Sequence, residues 1–229
     1  MKNLITRTLT VVSLSLILAL FFGCDKTSSS TSESQTASVT GSELDQETIL
    51  NLPSDSVSQD EANGLAYMRE EEKLARDVYI TLYQVWGQRV FNNISNSEQM
   101  HTNAIKTLIE KYNLTDPVVN DSVGVFQNEV LQGLFYQLTD TGRVSLINAL
   151  KVGALIEEID ILDLQKELDE YVDNEDIQYV YENLMRGSRN HLRAFVRNLQ
   201  AQGVIYSPVK LDIDTYNAII ESGWETGRH

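Results

Sequence analysis

One cysteine in 229 residues leaves nothing for a second thiol to pair with, so a disulfide framework is excluded. Histidine is almost as scarce, occurring at His101, His191 and His229; with Cys24 as the lone thiol, this excludes the Cys/His clusters of structural zinc. Basic side chains are short too: 18 Lys and Arg stand against 33 Asp and Glu, a formal charge of −15. So acidic a chain lacks the positive footprint that releases counterions from nucleic acid, and for the same reason it lacks a docking patch for anionic lipid. No useful stretch alternates apolar and polar residues, so strand content should be near nil. The longest apolar run, Leu9 to Phe22, has about 14 residues, against the roughly 20 of a comfortable membrane-spanning helix. What is present is a chain 42% hydrophobic, of a length that suits one or at most two domains.

The amino-terminal run has a different use. Lys2 and Arg7 precede it, and a basic start followed by an apolar core of about 7–15 residues reads as a secretory signal. It ends in Phe21-Phe22-Gly23-Cys24, with polar sequence from Asp25. That junction resembles a bacterial lipoprotein signal, implying cleavage before Cys24 and lipid on its sulfur and new amino terminus. The departure is at the third residue before the Cys, where Phe21 stands and the usual Leu is one place early as Leu20. The ordinary alternative is a cleaved signal with an incidental Cys. From Lys26 to about Asp60 the chain is rich in Ser and Thr, including Ser28-Ser29-Ser30-Thr31-Ser32, and buries too little apolar surface to offset the entropy of ordering it. The expected organisation is a signal peptide over 1–23, a lipidated Cys24 and linker over 24–57, and a folded domain over 58–229. Leu50, Leu52 and Pro53 are candidates to dock on the domain edge. The expected location is the cell envelope, lipid-anchored on the extracytoplasmic face, with inner or outer membrane left open.

From residue 59 the apolar period is that of a helix. Leu65, Met68, Glu72, Ala75, Tyr79 and Leu82 share one stripe of a first long helix, capped by Ser58 with Glu61 three residues on and stopped near Trp86-Gly87. A second is expected from Asn96 or Ser97 to Asn113-Leu114, ahead of Pro117. Residues 115–125 read as loop, Phe126 to Leu138 as a shorter helix, and Thr139-Asp140-Thr141-Gly142 as a turn. A third long helix is expected from Ser145 to Tyr171 and a fourth from Asn174 to Gln202, followed by a short one over Asp212 to Glu221. Short first and third connections with a long middle one describe an all-α, ferritin-like four-helix bundle, whose crossover between helices 2 and 3 contains a short extra helix.

Within this pattern, ionisable groups stand where apolar residues belong. Glu72 lies between Met68 and Ala75, Glu157 and Asp160 between Gly153 and Leu164, and His191 between Leu184 and Phe195; the second helix adds Glu98 and His101, three apart and so on one face. Buried unpaired carboxylates cost several kcal/mol each or neutralise through a raised pKa. Two bound iron or manganese ions would satisfy the whole set. Each residue also has an ordinary alternative. One of Glu70, Glu71 and Glu72 faces inward in any packed helix, and only one of Glu157 and Glu158 need face solvent. His101 could pair with a neighbouring helix, and His191 could be a core histidine bonded to Asp160. Tyr79, about two turns beyond Glu72, could bond a carboxylate ligand or simply pack. Arg186, Arg189 and Arg193, with Arg76, could offset the acidic interior, cap neighbouring carboxylates or simply be solvated, and Gly153 could let helices approach closely beside Glu157.

Four stretches carry a family resemblance: Met68–Tyr79 (containing Arg-Glu-Glu-Glu-Lys-Leu-Ala-Arg-Asp), Asn93–His101 (ending Glu98-Gln99-Met100-His101), Val152–Glu158, and Gly187–Phe195 (containing Ser188-Arg189-Asn190-His191). Over about residues 60–210 the chain resembles the ferritin-like superfamily, most closely the uncharacterised bacterial family called domain of unknown function 2202. The related rubrerythrin pattern implies Glu72, Glu98, His101, Glu157, Asp160 and His191 as metal ligands, with Tyr79 and Ser188 beside them. It departs from that pattern at Ser188, where a Glu is expected, and at Asp160, where the expected carboxylate is longer. It also has no rubredoxin-type Cys pairs. The resemblance implies a dinuclear iron or manganese cofactor and chemistry with Fe(II), dioxygen or peroxide. A non-enzymatic metal-binding or sensing module and a metal-free structural domain remain open. Metal ions and the membrane, reached through the lipid anchor, are the expected partners; nucleic acid is not, and a homodimer is compatible with the sequence.

Overall fold

The computed structural model describes residues 44–226. The expected signal peptide, Cys24, most of the Ser/Thr-rich stretch and His229 lie outside the described residues. Within them the chain is all-α, with seven helices and no strand. None of these helices is long and apolar enough to cross a membrane.

Helix α1 (Gln46–Asn51) is short and packs on α3 (Arg89–Lys111), burying Ile49 completely. Packed structure therefore begins inside the segment assigned to the linker, because Asp45 caps this helix and Ile49 reaches an apolar cluster. Helix α2 (Gln59–Trp86) opens on the expected capping box of Ser58 and Glu61 and closes at Gly87, whose φ of 62° suits a residue without Cβ. Only Gly87 and Gln88 separate it from α3, so the two form a helical hairpin. Helices α5 (Leu146–Glu170, capped by Ser145) and α6 (Glu175–Ala201) form a second hairpin. The hairpins meet through α2 with α5 and α3 with α6, making a bundle of four long helices. The crossover, residues 112–145, contains α4 (Glu129–Arg143), which lies against α2 and α5; α7 (Ile213–Glu221) follows α6 and packs on it.

Three boundaries differ from the sequence expectation, and in each case packing overrides a local signal. Helix α3 starts at Arg89, several residues before Asn96, because Val90, Phe91 and Ile94 extend its buried stripe through poor helix formers. Helix α4 starts at Glu129, where the Asn128 side chain accepts from Val130 and Leu131, later than Phe126. It then runs on through Thr139-Asp140-Thr141-Gly142. The Thr139 and Thr141 hydroxyls bond carbonyls one turn back, and Gly142 serves close packing: a Cβ there would lie 2.5 Å from a Leu82 methyl.

Charged side chains tie the added segments to the bundle. The Glu70 carboxylate accepts from the amides of Gln127 and Asn128 at the start of α4. Lys73, fully buried, donates to Asp77 at 2.5 Å and to the carbonyls of Ser122 and Val125. Glu158, also fully buried, accepts from Tyr206 and from the amides of Val209, Lys210 and Leu211, fixing the segment after α6. Arg189 and Arg193 bind Glu225, and Arg76 binds Asp77 and Asp121. Arg189 and Arg193 thus cap a carboxylate of the tail, while Arg76 pairs with the buried Asp77 and ties it to the crossover.

Glu61 ties two helix starts together. Its carboxylate accepts from Ser58 N at 2.8 Å, Asn174 N at 3.1 Å and Asp173 N at 3.2 Å. Burial works to raise its pKa, but these N–H donors and the Asn174 amide outweigh it and lower the value from 4.5 to about 2. A folded-state pKa below the unfolded one adds stability above the unfolded value that is lost as pH falls toward the folded one. Urea titrations should therefore show wild type weakening from pH 4.5 down to about 2, with Glu61→Gln less stable at neutral pH but flatter across that window. Parallel curves for the two proteins would remove this role from Glu61.

Candidate metal centre

Two apolar clusters fill the bundle. One gathers around Tyr79, Phe91 and Phe195, the other around Leu65, Ile105, Leu108 and Tyr181. Between them lies a polar layer built by all four long helices: Glu72 from α2, Glu98 and His101 from α3, Glu157 and Asp160 from α5, Ser188 and His191 from α6. Every one of these residues is at least 95% buried.

The layer is organised around Glu98. One of its oxygens lies 2.7 Å from His101 Nδ1 and the other 2.8 Å from His191 Nδ1. His101 Nδ1 is also 3.1 Å from Glu72, and His191 Nδ1 is 3.4 Å from Glu157. The two rings stack with centroids 5.5 Å apart. Two groups of metal-ligating side chains result, Glu72–Glu98–His101 and Glu98–Glu157–His191, each with its donor atoms within 4.8 Å of one another. Glu98 belongs to both.

The neighbours hold these carboxylates in place. The Tyr79 hydroxyl donates to Glu157, while its ring packs on Phe91 and Phe195. Tyr79 is thus both a core aromatic and a carboxylate partner. Ser188 binds Asp160, and His191 faces Glu98 and Glu157 instead of Asp160, unlike the core-histidine alternative. Asp160 is adjacent to the layer but belongs to neither group of three. Gly153 lets Phe195 in, since a Cβ there would lie 2.4 Å from the ring.

Electrostatics follow from taking so many acids out of water. Burial raises Glu72 to about 8 and holds Glu157 above, and Asp160 well above, the usual carboxylate range. Burial works in the same direction on Glu98, but the charges of His191 and His101 on either side outweigh it and bring Glu98 below that range. For the histidines burial opposes the charged ring, yet Glu98 with Glu72 carries His101 well above its ordinary value, and Glu98 with Glu157 carries His191 to about 10. Both Nδ1 atoms thus face carboxylates that favour a positive charge between them, where a cation would meet the same donors. The bonding is incomplete as it stands. Glu72 Oε1 and Asp160 Oδ1 have no hydrogen-bond partner, and Glu98 Oε1 and His191 Nδ1 are close without hydrogen-bond alignment. Converging buried donors without partners fit a bound ion.

Three residues beside the layer escaped the sequence reading. Gly187 faces His101, and a glycine inside a helix four residues before a candidate ligand is itself a sign of close approach. Glu71 and Tyr67 line the outer side of Asp160 and are one helical turn apart, a spacing that carries little information alone. The expectation that some of Glu70–Glu72, and one of Glu157 and Glu158, face solvent is overturned: all five are buried.

Comparison with known proteins places the layer in context. Residues 61–223 match the family described as an uncharacterized protein domain, DUF2202. The chain is 53% identical over 181 residues to the uncharacterized protein MJ0754 of Methanocaldococcus jannaschii, a match covering 79% of this chain and 97% of that protein. The crystal structure of hypothetical protein MJ0754 from Methanococcus jannaschii DSM 2661 aligns with a TM-score of 0.75 at 53% identity, covering 76% of this chain and 99% of that one.

The close approach at Gly187 is testable without any metal. A Cβ there would lie 2.7 Å from Cε1 and Nε2 of His101. Gly187→Ala should therefore cost about 1–3 kcal/mol by denaturant unfolding, as overpacking does, and shift the His101 ring resonances. Gly133→Ala, at an exposed site of α4 with nothing within 4 Å, should instead gain up to about 1 kcal/mol from helix propensity. Equal responses would mean that His101 does not depend on that space.

Proposed function

Because the chain belongs to the DUF2202 family, whose matched residues include every side chain of the buried layer, we propose that it is a ferritin-like protein holding a dinuclear iron or manganese centre. One observation carries the reading: two groups of ligating side chains share Glu98. Glu72 and His101 would serve one ion and Glu157 and His191 the other, with Glu98 common to both. Carboxylate oxygens with one imidazole per ion suit iron or manganese, and no thiolate is present to favour softer ions. A four-helix bundle with one long crossover is also the topology in which ferritin-like proteins assemble such Glu and His sets.

When bound, such a centre supplies one-electron redox chemistry toward dioxygen or peroxide, so the reaction class is oxidation of Fe(II) or reduction of peroxide. The chain's own contribution is positional. Tyr79 orients Glu157, Ser188 orients Asp160, and the apolar clusters above and below exclude bulk water. His101 and His191 would have to be neutral at the nitrogen that holds a metal, which would make loading pH-dependent. Lipidation at Cys24, with the following residues as a tether, would place the bundle on the extracytoplasmic face of a membrane; the basic start, apolar core and Cys of the signal support this part of the proposal.

Ser188 favours a second reading. With Ser in place of a further carboxylate, and Asp160 outside both groups, one ion in a non-enzymatic binding or sensing module is the competitor. Elemental analysis of the full chain purified without chelator separates the two. The dinuclear reading expects close to two iron or manganese ions per chain and an absorbance change when the Fe(II) form meets dioxygen. It also expects Glu98→Ala to lose both ions and Glu157→Gln to lose one. One ion with no response to dioxygen would favour the module, and a metal-free chain would sink both.

A further inference from the structure

The proposed centre has no opening of its own, since each residue of its two groups of three is at least 97% buried. On one side, between α2 and α5, acids continue outward beyond it. Asp160 lies three residues from Glu157 on α5, and its Oδ1 has no partner. Glu71 on α2, buried, is next; its Oε2 has no partner either, and its other oxygen lies 3.4 Å from the hydroxyl of Tyr67, which reaches solvent. Asp163, half-buried, lies beside Glu71, and Glu167 follows one turn further out with Lys166 beside both. A cavity of about 20 Å³ touches Glu71 and Asp160, its remaining wall being apolar and including Leu74, Leu134 and Ile156. That is room for about one water molecule or a partly dehydrated ion.

The two unpartnered oxygens need an explanation that the groups of three do not supply. Neither Glu71 nor Asp160 belongs to them, so a static ligand role is not indicated. Neither is a fastener like Glu70 or Glu158, whose oxygens are satisfied by amides. Carboxylates that step from half-buried to fully buried, with spare oxygens along the way, match what a divalent cation requires while it exchanges water for protein.

We propose that Glu71, with Asp163 outside it and Asp160 inside it, forms the route by which divalent cations pass between α2 and α5 to the inner centre. This rests on the dinuclear reading above. Glu71 is a transit residue: it binds the ion briefly, then releases it inward to Asp160.

The test is a stopped-flow measurement of Co(II) uptake by the chelator-stripped full chain, followed through the visible absorption of the bound ion. Glu71→Gln, which removes an oxygen able to give up its proton to an arriving cation, should slow uptake on the order of tenfold. Its final cobalt content should equal that of wild type. Asp163→Asn should slow uptake by a smaller factor, and Asp140→Asn, an exposed acid on α4, should leave the rate alone. Uptake by Glu71→Gln at the wild-type rate overturns the route, as does a drop in its final cobalt content, which would make Glu71 a ligand. If circular dichroism shows Glu71→Gln unfolded, Asp163→Asn decides, and a wild-type rate there overturns the route. Wild type that takes up no cobalt fails the dinuclear reading itself, an outcome distinct from normal uptake indifferent to Glu71.

Discussion

A carboxylate taken out of water must find a positive partner, a set of N–H donors or a proton, and this constraint shapes the whole molecule. The four long helices bury far more acid than a bundle of this size needs for stability. Each buried acid is therefore a local problem with a local answer, and the answers sort the interior. Glu61, Glu70 and Glu158 are satisfied by backbone amides. Asp77 is satisfied by Lys73 and Arg76, and Asp176 is paired with Lys111. Once these are removed, the acids left are Glu72, Glu98 and Glu157, which face two imidazoles and the Tyr79 hydroxyl, with Asp160 and Glu71 at their edge. The site is the unsatisfied remainder of the bundle's buried charge.

The same constraint explains how the segments outside the bundle are held. The crossover and the tail bury apolar side chains such as Phe135 and Leu211 in the core, and charges projecting from the long helices also capture their backbone N–H and C=O groups. Glu70 fastens the start of α4, Lys73 and Asp77 the loop before it, and Glu158 the segment after α6. Such contacts add less to net stability than equal areas of apolar packing, but they are directional and fix position. That is what the outer shell of a site needs.

Much of this was legible in the chain. Caps marked most helix ends, because Ser58 with Glu61, Gly87, Ser145 and Asp212 act through short-range bonds that sequence spacing encodes. Glu72, Glu157, Asp160 and His191 stood out because each interrupts an apolar stripe, and Glu98 with His101 because they stand three apart on one helix face. What escaped depended on neighbours distant in sequence. Asn92 to Ser97 look like a break, yet they are helical because Phe91 and Ile94 are buried against other helices. Thr139 to Gly142 look like a turn until Leu82 is placed against Gly142. Arg189 and Arg193 look like counter-charges for the interior until Glu225 is found beside them. Sequence alone also had no means of saying that three consecutive glutamates would all be inside.

That run, Glu70-Glu71-Glu72, has a further consequence. Side chains on successive helical positions point about 100° apart, so the three sample most of the circumference of α2. Glu70 is clamped by the crossover, Glu71 reaches the seam with α5, and Glu72 faces His101. Glu157 and Glu158 repeat the device on α5, one turned to the centre and the other to the tail. A helix gripped from several directions at one level has no freedom to roll about its axis. The angular setting of the inner carboxylates is thus fixed from behind, by bonds on the far side of each helix, like a key held by its bow.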